Sequence, residues 1–176
     1  MAGEIKCVVG VDTGLTGGIA VLGIDGSLKM VCDMPIIAGK TRVFDAPGIL
    51  GVLREYPASD TFVAIERTFP RAAAIGGSAA ANWSLGGGLM LIVGLCVASG
   101  YRRELLDPKT WQKSMLQGIP GDTKVRSIAS AQALWPGVEV VVKATGRMRV
   151  DSIRHGRSDA LLIAEYMRRR LIGRDV

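Results

Sequence analysis

Residues 6–11 form a nearly continuous apolar run rich in valine, the pattern of a strand buried on both faces. Further apolar runs at 16–24 and 28–35 follow turn signals at Asp12-Thr13-Gly14 and Asp25-Gly26, so the N-terminal segment predicts a three-stranded antiparallel meander. Helical spacing then runs over 45–56, a strand over 61–66, and a long uncharged helix over 78–99 that Gly100 stops. A strand over 102–106 precedes a short helix opened by Pro108; a helix over 122–134 starts at Asp122 as N-cap and ends before Pro136, and an amphipathic helix over 158–171 closes the chain. Antiparallel strands first and alternating strands and helices later predict an α/β fold, a mixed five-stranded sheet flanked by helices.

Composition narrows this to one domain over 1–176, because 176 residues with 48% hydrophobic content can bury a core without metal or disulfide staples. The uncharged stretch 72–101 exceeds the ~20 residues needed to span a bilayer. Its first half is Gly, Ala, Ser and Asn, and its dense part, 85–98, is short and carries four glycines. It therefore predicts a closely packed buried helix and no membrane partner. The N-terminus has an acid and no long apolar core, so no signal peptide is expected. Cys7, Cys32 and Cys96 are isolated and odd in number, which predicts three small buried hydrophobes in a reducing, cytoplasmic setting. The net charge of +6 then points to a polyanionic partner.

Three acids stand apart. Asp25, Asp33, Glu55, Asp60, Glu104 and Glu139 fall in turns or on exposed faces, whereas Asp12, Glu66 and Asp159 sit in VVGVDTG, FVAIER and SDALLIAEY. In such apolar surroundings an acid costs several kcal/mol unless paired, protonated or bound to a cation. Each alone can be a cap, a turn residue or a salt-bridge member; together they suggest a site. His155, the sole histidine, lies four residues before Asp159 and shares its helical face, with Arg154 and Arg157 expected to depress its basicity. Three carboxylates and a neutral imidazole suit a hard divalent cation such as Mg²⁺ or Mn²⁺.

Val9-Gly10-Val11-Asp12-Thr13-Gly14 with Gly17-Gly18-Ile19-Ala20, Val63-Ala64-Ile65-Glu66 with Phe69, the helix through Gly86, Gly87 and Gly94, Leu106-Asp107-Pro108 with Trp111 and Lys113, and the run from His155 to Ala164 together resemble the RuvC-type Holliday junction resolvases of the RNase H-like superfamily. The resemblance covers nearly the whole chain. It implies an RNase H-like sheet and a nuclease whose four catalytic and metal-binding positions fall on Asp12, Glu66, His155 and Asp159. The third is a carboxylate in many members and a histidine in others. It further implies two Mg²⁺ ions, with Mn²⁺ as a substitute, acting on four-way or branched DNA to give 5′-phosphate and 3′-hydroxyl ends. A homodimer follows from the two-fold symmetry of the substrate, with the uncharged helix as its contact.

Basic residues flank these positions. Arg67 and Arg71 bracket Phe69 just after Glu66, and Lys143, Arg147, Arg149, Arg154 and Arg157 lie just before or at the last helix. Together they predict a phosphate track, with Lys109, Lys113 and Lys124 as further contacts. The resemblance places Phe69 near the junction centre, where an aromatic can stack on or wedge between bases. Arg168, Arg169 and Arg170 read first as charges favoured at a helix C-terminus. Rival readings are a broader branched-DNA, flap or RNA–DNA hybrid nuclease, an actin-like ATPase sharing the Asp12-Thr13-Gly14 turn, and a non-catalytic DNA-binding protein. The ATPase needs a second lobe for which the chain has no room.

Overall fold

The computed structural model of the chain describes residues 3–70, 72, 78–140 and 155–174. The elements run β1 (Cys7–Asp12), β2 (Gly18–Gly23), β3 (Leu28–Asp33), β4 (Ile36–Ile37), β5 (Val43–Phe44), α1 (Ala46–Arg54), β6 (Thr61–Glu66), α2 (Ala79–Ala98), β7 (Arg102–Leu106), α3 (Pro108–Met115), α4 (Thr123–Leu134) and α5 (Gly156–Leu171). The five-stranded sheet has the order β3-β2-β1-β6-β7. β1 is antiparallel to β2 and parallel to β6, which is in turn parallel to β7. The expected meander and mixed sheet are therefore present, and β1 lies at its centre.

Side-chain alternation divides the core between the two faces of the sheet. Val9 and Val11 of β1 join Ile19, Val21, Val63 and Ile65 beneath α1 and α2, where Ile49, Leu53, Ile92 and Cys96 are buried. Val8, Ala20, Leu22 and Ala64 face the other way, toward α3, α4 and α5 with Trp111, Ala131 and the run Ala160–Ala164. On that second face the register aligns Gly10 with Ala20 on one side and Ala64 on the other. This row of minimal side chains leaves room for α5. A Cβ at Gly10 would collide with the Ala160 carbonyl and with Ala164. At the start of α5, Gly156 pairs backbone to backbone with Gly17.

Three elements depart from expectation. The last helix is not amphipathic: Ser158 and Ala160 to Arg168 are all buried, because the sheet covers one side and α3 and α4 the other. Its buried Glu165 is held by Arg168 at 2.7 and 2.9 Å and by Arg169 at 2.8 Å, while Arg168 also donates to the Ile24 carbonyl. Arg170 bonds Glu104 at 2.6 Å, so these arginines tie the helix end to its surroundings. The long helix α2 is not buried within the chain. Gly88, Ile92 and Cys96 are its fully buried residues, with Leu89, Leu91, Val93 and Leu95 partly covered beside them, and the helix packs on α1, β6 and Phe44. By length and composition α2 is long and apolar enough to cross a membrane. The third departure is the small β4–β5 hairpin, which pairs Ile36 with Phe44 and Ile37 with Val43. Of the cysteines, Cys96 alone is fully buried; Cys7 and Cys32 are half-buried, and all three are free.

Replacing Gly10 by Ala forces α5 off the sheet, and urea unfolding is expected to show a loss of about 3 kcal/mol. Wild-type stability in that variant contradicts the close approach.

Candidate active site

Asp12 ends β1 and Glu66 ends β6, and because these strands are parallel neighbours in register, both carboxylates emerge at the same edge of the sheet. The connection after Asp12 turns sharply, with Gly14 donating weakly to Asp12 Oδ1 at 3.3 Å. α5 starts at the same edge. Its seating against β1 and the Gly17–Gly156 bridge bring His155, the N-cap residue, and Asp159 over the strand ends. Asp12, Glu66, His155 and Asp159 thus line one cleft of about 620 Å³.

The four groups are held unequally. Glu66 Oε1 accepts from the indole N–H of fully buried Trp111 at 3.0 Å. His155 Nδ1 stands 3.0 Å from Asp159 Oδ2, which leaves Nε2 as the ring's other nitrogen. The other Asp159 oxygen, Oδ1, accepts from Ser127 of α4.

The electrostatics mark these acids as a set. Burial, and then the Asp159 charge, push the Asp12 carboxyl up to about 6. Burial, followed by the charges of Asp12 and Asp159, pushes Glu66 up to about 8, against the opposing Trp111 hydrogen bond. The His155 ring is raised by its hydrogen bond to Asp159. The expected depression by Arg157 is therefore overturned. That guanidinium turns away to Asp33 at 2.7 Å and to the Glu139 carbonyl at 3.1 Å.

A divalent cation is the natural complement of this donor set. Among the described residues no lysine or arginine is one of the groups that shift Asp12 or Glu66, so no such cation offsets their charge at the carboxylates themselves. As placed, no three His, Cys, Asp or Glu side chains among the described residues converge tightly enough to hold one ion. The four groups line the walls of one cleft.

The rim is basic and polar. Lys124, at the start of α4, and Arg42, on the hairpin, line the cleft with Thr68 and Gln112. Lys109 and Lys113 instead line an adjoining groove with Gln117 and Tyr166, on the neighbouring face of α3. Arg67 and Phe69 are exposed just beyond Glu66, Phe69 by 51%. Arg71, Lys143, Arg147, Arg149 and Arg154 lie outside the described residues. Arg42, Gln112 and Ser127 were not singled out from the sequence. Arg42 sits in a segment with no strand-length pattern, and a serine inside a helix carries no signal of its partner.

No protein-family model and no curated protein matches the chain. Among solved structures it is similar to T. thermophilus RuvC in complex with a Holliday junction substrate, with a TM-score of 0.62 and 17% identity over 96% of each chain. It is also similar to a second Thermus thermophilus RuvC structure, with a TM-score of 0.57 and 19% identity over 95% of this chain and 96% of that one. The shared property at these identities is the fold, and it is the RNase H-like α/β arrangement of RuvC.

A carboxyl with a raised folded pKa keeps its proton where the unfolded chain has lost it. Its destabilising effect is absent below the ordinary value near 4.5 and complete above about 8. In EDTA, Glu66→Gln is therefore expected to match wild type at pH 4 and to exceed it by about 2–4 kcal/mol at pH 8.5 in urea unfolding. A variant less stable than wild type at pH 8.5 contradicts the unpaired charge.

Proposed function

We propose that the chain is a structure-selective endodeoxyribonuclease of the RuvC type, resolving four-way DNA junctions by paired symmetric nicks. The observation that carries this reading is the juxtaposition of Asp12 and Glu66, at the ends of adjacent parallel strands, with Asp159 and His155 of α5 in a basic-rimmed cleft. It occurs on a fold matched over 96% of the chain by a RuvC structure that contains a Holliday junction substrate.

Asp12, Glu66, Asp159 and the Nε2 of His155 are the donors that would hold Mg²⁺, or Mn²⁺ in its place. When bound, a metal pair activates water and stabilises the departing 3′-oxygen in hydrolysis of a phosphodiester. Water adds to phosphorus and the bond to the 3′-oxygen breaks, leaving a 5′-phosphate and a 3′-hydroxyl. The Trp111 N–H fixes the direction of Glu66, and the Asp159 carboxylate fixes the ring of His155. Lys124 meets phosphate in the cleft, and Lys109 and Lys113 extend the track over α3. Phe69, exposed beside Arg67, stacks on or wedges between bases.

Symmetric cutting asks for two sites, and α2 offers the contact. Trp83, Gly87, Met90, Gly94 and Val97 fall at heptad spacing and are all exposed. A Cβ at Gly87 or Gly94 would meet only open space, so the stripe alternates large side chains with holes, which suits a second copy. Lipid is the poorer occupant, because Gly88, Ile92 and Cys96 of the same helix are locked in the core.

Asp12→Asn and Asp159→Asn are expected to lower junction cleavage in Mg²⁺ by at least about 10³-fold while junction binding in Ca²⁺ stays near wild type. Full cleavage by Asp12→Asn would remove the catalytic assignment. Met90→Arg is expected to sediment as a monomer and to replace paired cuts by single nicks. A wild-type monomer at micromolar concentration that still makes paired cuts would contradict the dimer.

A further inference from the structure

Asp159 depends on a neighbour that lies outside the cleft. Ser127, one turn into α4, is fully buried and faces α5, on the buried side of α4 that also carries Ser130 and Ala131. Its hydroxyl bonds Asp159 Oδ1 and lies 3.0 Å from Ser158 Oγ. Ser158, also fully buried, donates to the His155 carbonyl at 2.7 Å. Ser127 has a single proton, and the anionic carboxylate is the stronger acceptor, so that proton goes to Asp159. Both oxygens of Asp159 are thereby engaged, Oδ1 by Ser127 and Oδ2 by the His155 ring.

We propose that Ser127 is a positioning residue: its hydroxyl pins the Asp159 carboxylate in the orientation that receives a divalent cation, against the repulsion of Asp12 and Glu66. The proposal rests on the reading of the cleft as a metal centre. Asp12 and Glu66 both feel the Asp159 charge, and without the Ser127 donor on Oδ1 that carboxylate is held by the His155 ring at Oδ2 alone. Groups that orient a metal ligand through a hydrogen bond typically contribute about 10–100-fold to metal affinity. The same helix puts Lys124, one turn earlier, on the cleft rim, so α4 supplies both a phosphate contact and the brace for Asp159.

Ser130 is the internal control. It lies on the same buried face and donates to the Met115 carbonyl at 2.8 Å, with no bond to the cleft. The test is calorimetric titration of the full chain with Mn²⁺, alongside thermal melts and the Mg²⁺ dependence of junction cleavage. Ser127→Ala is expected to weaken Mn²⁺ binding about tenfold and to raise the half-saturating Mg²⁺ by a similar factor, while cleavage at saturating Mg²⁺ stays within about twofold of wild type. Ser130→Ala is expected to lower the melting temperature comparably and to leave Mn²⁺ affinity within about twofold of wild type. Ser127→Cys, close in volume but a weak donor, is expected to reproduce the loss of affinity. Wild-type Mn²⁺ affinity in Ser127→Ala or Ser127→Cys overturns the positioning role alone. A wild-type chain that binds no Mn²⁺ overturns the metal centre and the positioning role with it.

Discussion

The backbone of α5 rests on the central strand with almost nothing between them. Gly10, flanked in register by Ala20 and Ala64, presents a shallow row to Ala160 and Ala164, and the Gly17–Gly156 bridge holds the first turn of the helix to the start of β2. Backbone sets this distance, and close-packed backbone cannot adjust by a change of rotamer. The carboxylate pair at the strand ends comes from sheet register, but Asp159 and His155 reach it only because α5 lies this close. The helix is locked along its length as well, by its buried aliphatic run and by the Glu165–Arg168 pair that binds the Ile24 carbonyl.

That rigidity explains how the chain can keep uncompensated acids in one place. Several other acids find cations: Asp33 takes Arg157, Asp60 takes Lys6, Glu104 takes Arg170 and Glu165 takes Arg168 and Arg169. Asp12 and Glu66 have no such partner among the described residues, and burial, followed by the charge of neighbouring acids, raises both carboxyls. The basic residues nearest the cleft, Lys124 and Arg42, sit on its rim. The division suits the proposed chemistry, in which a phosphate would enter between a metal and a cationic border.

Much of this was legible in the residues. Asp12, Glu66 and Asp159 stood out because each interrupts an apolar run, and the i, i+4 spacing of His155 and Asp159 correctly put them on one face. The order of strands and helices followed from periodicity and caps. The exposure of α2 did not, because hydropathy reports what a helix avoids and not which surface covers it. The β4–β5 hairpin escaped because two-residue strands carry no periodic signal. The Arg157–Asp33 pair was not legible because the two residues lie 124 positions apart in the chain. Ser127 was invisible for the same reason, since its partner is set by the packing of α4 on α5.

Whether this cleft cuts branched DNA at two symmetric positions, as proposed, is decided by mapping its cleavage. Matched four-way junction, flap, fork and linear duplex are incubated with the protein and Mg²⁺, and the cuts on every strand are located. The expected result is paired nicks at symmetric positions in two opposed strands of the junction, with ligatable 5′-phosphate ends and little cutting of duplex. Equal cutting of flap, fork and junction, or unpaired nicks scattered through duplex, would contradict it.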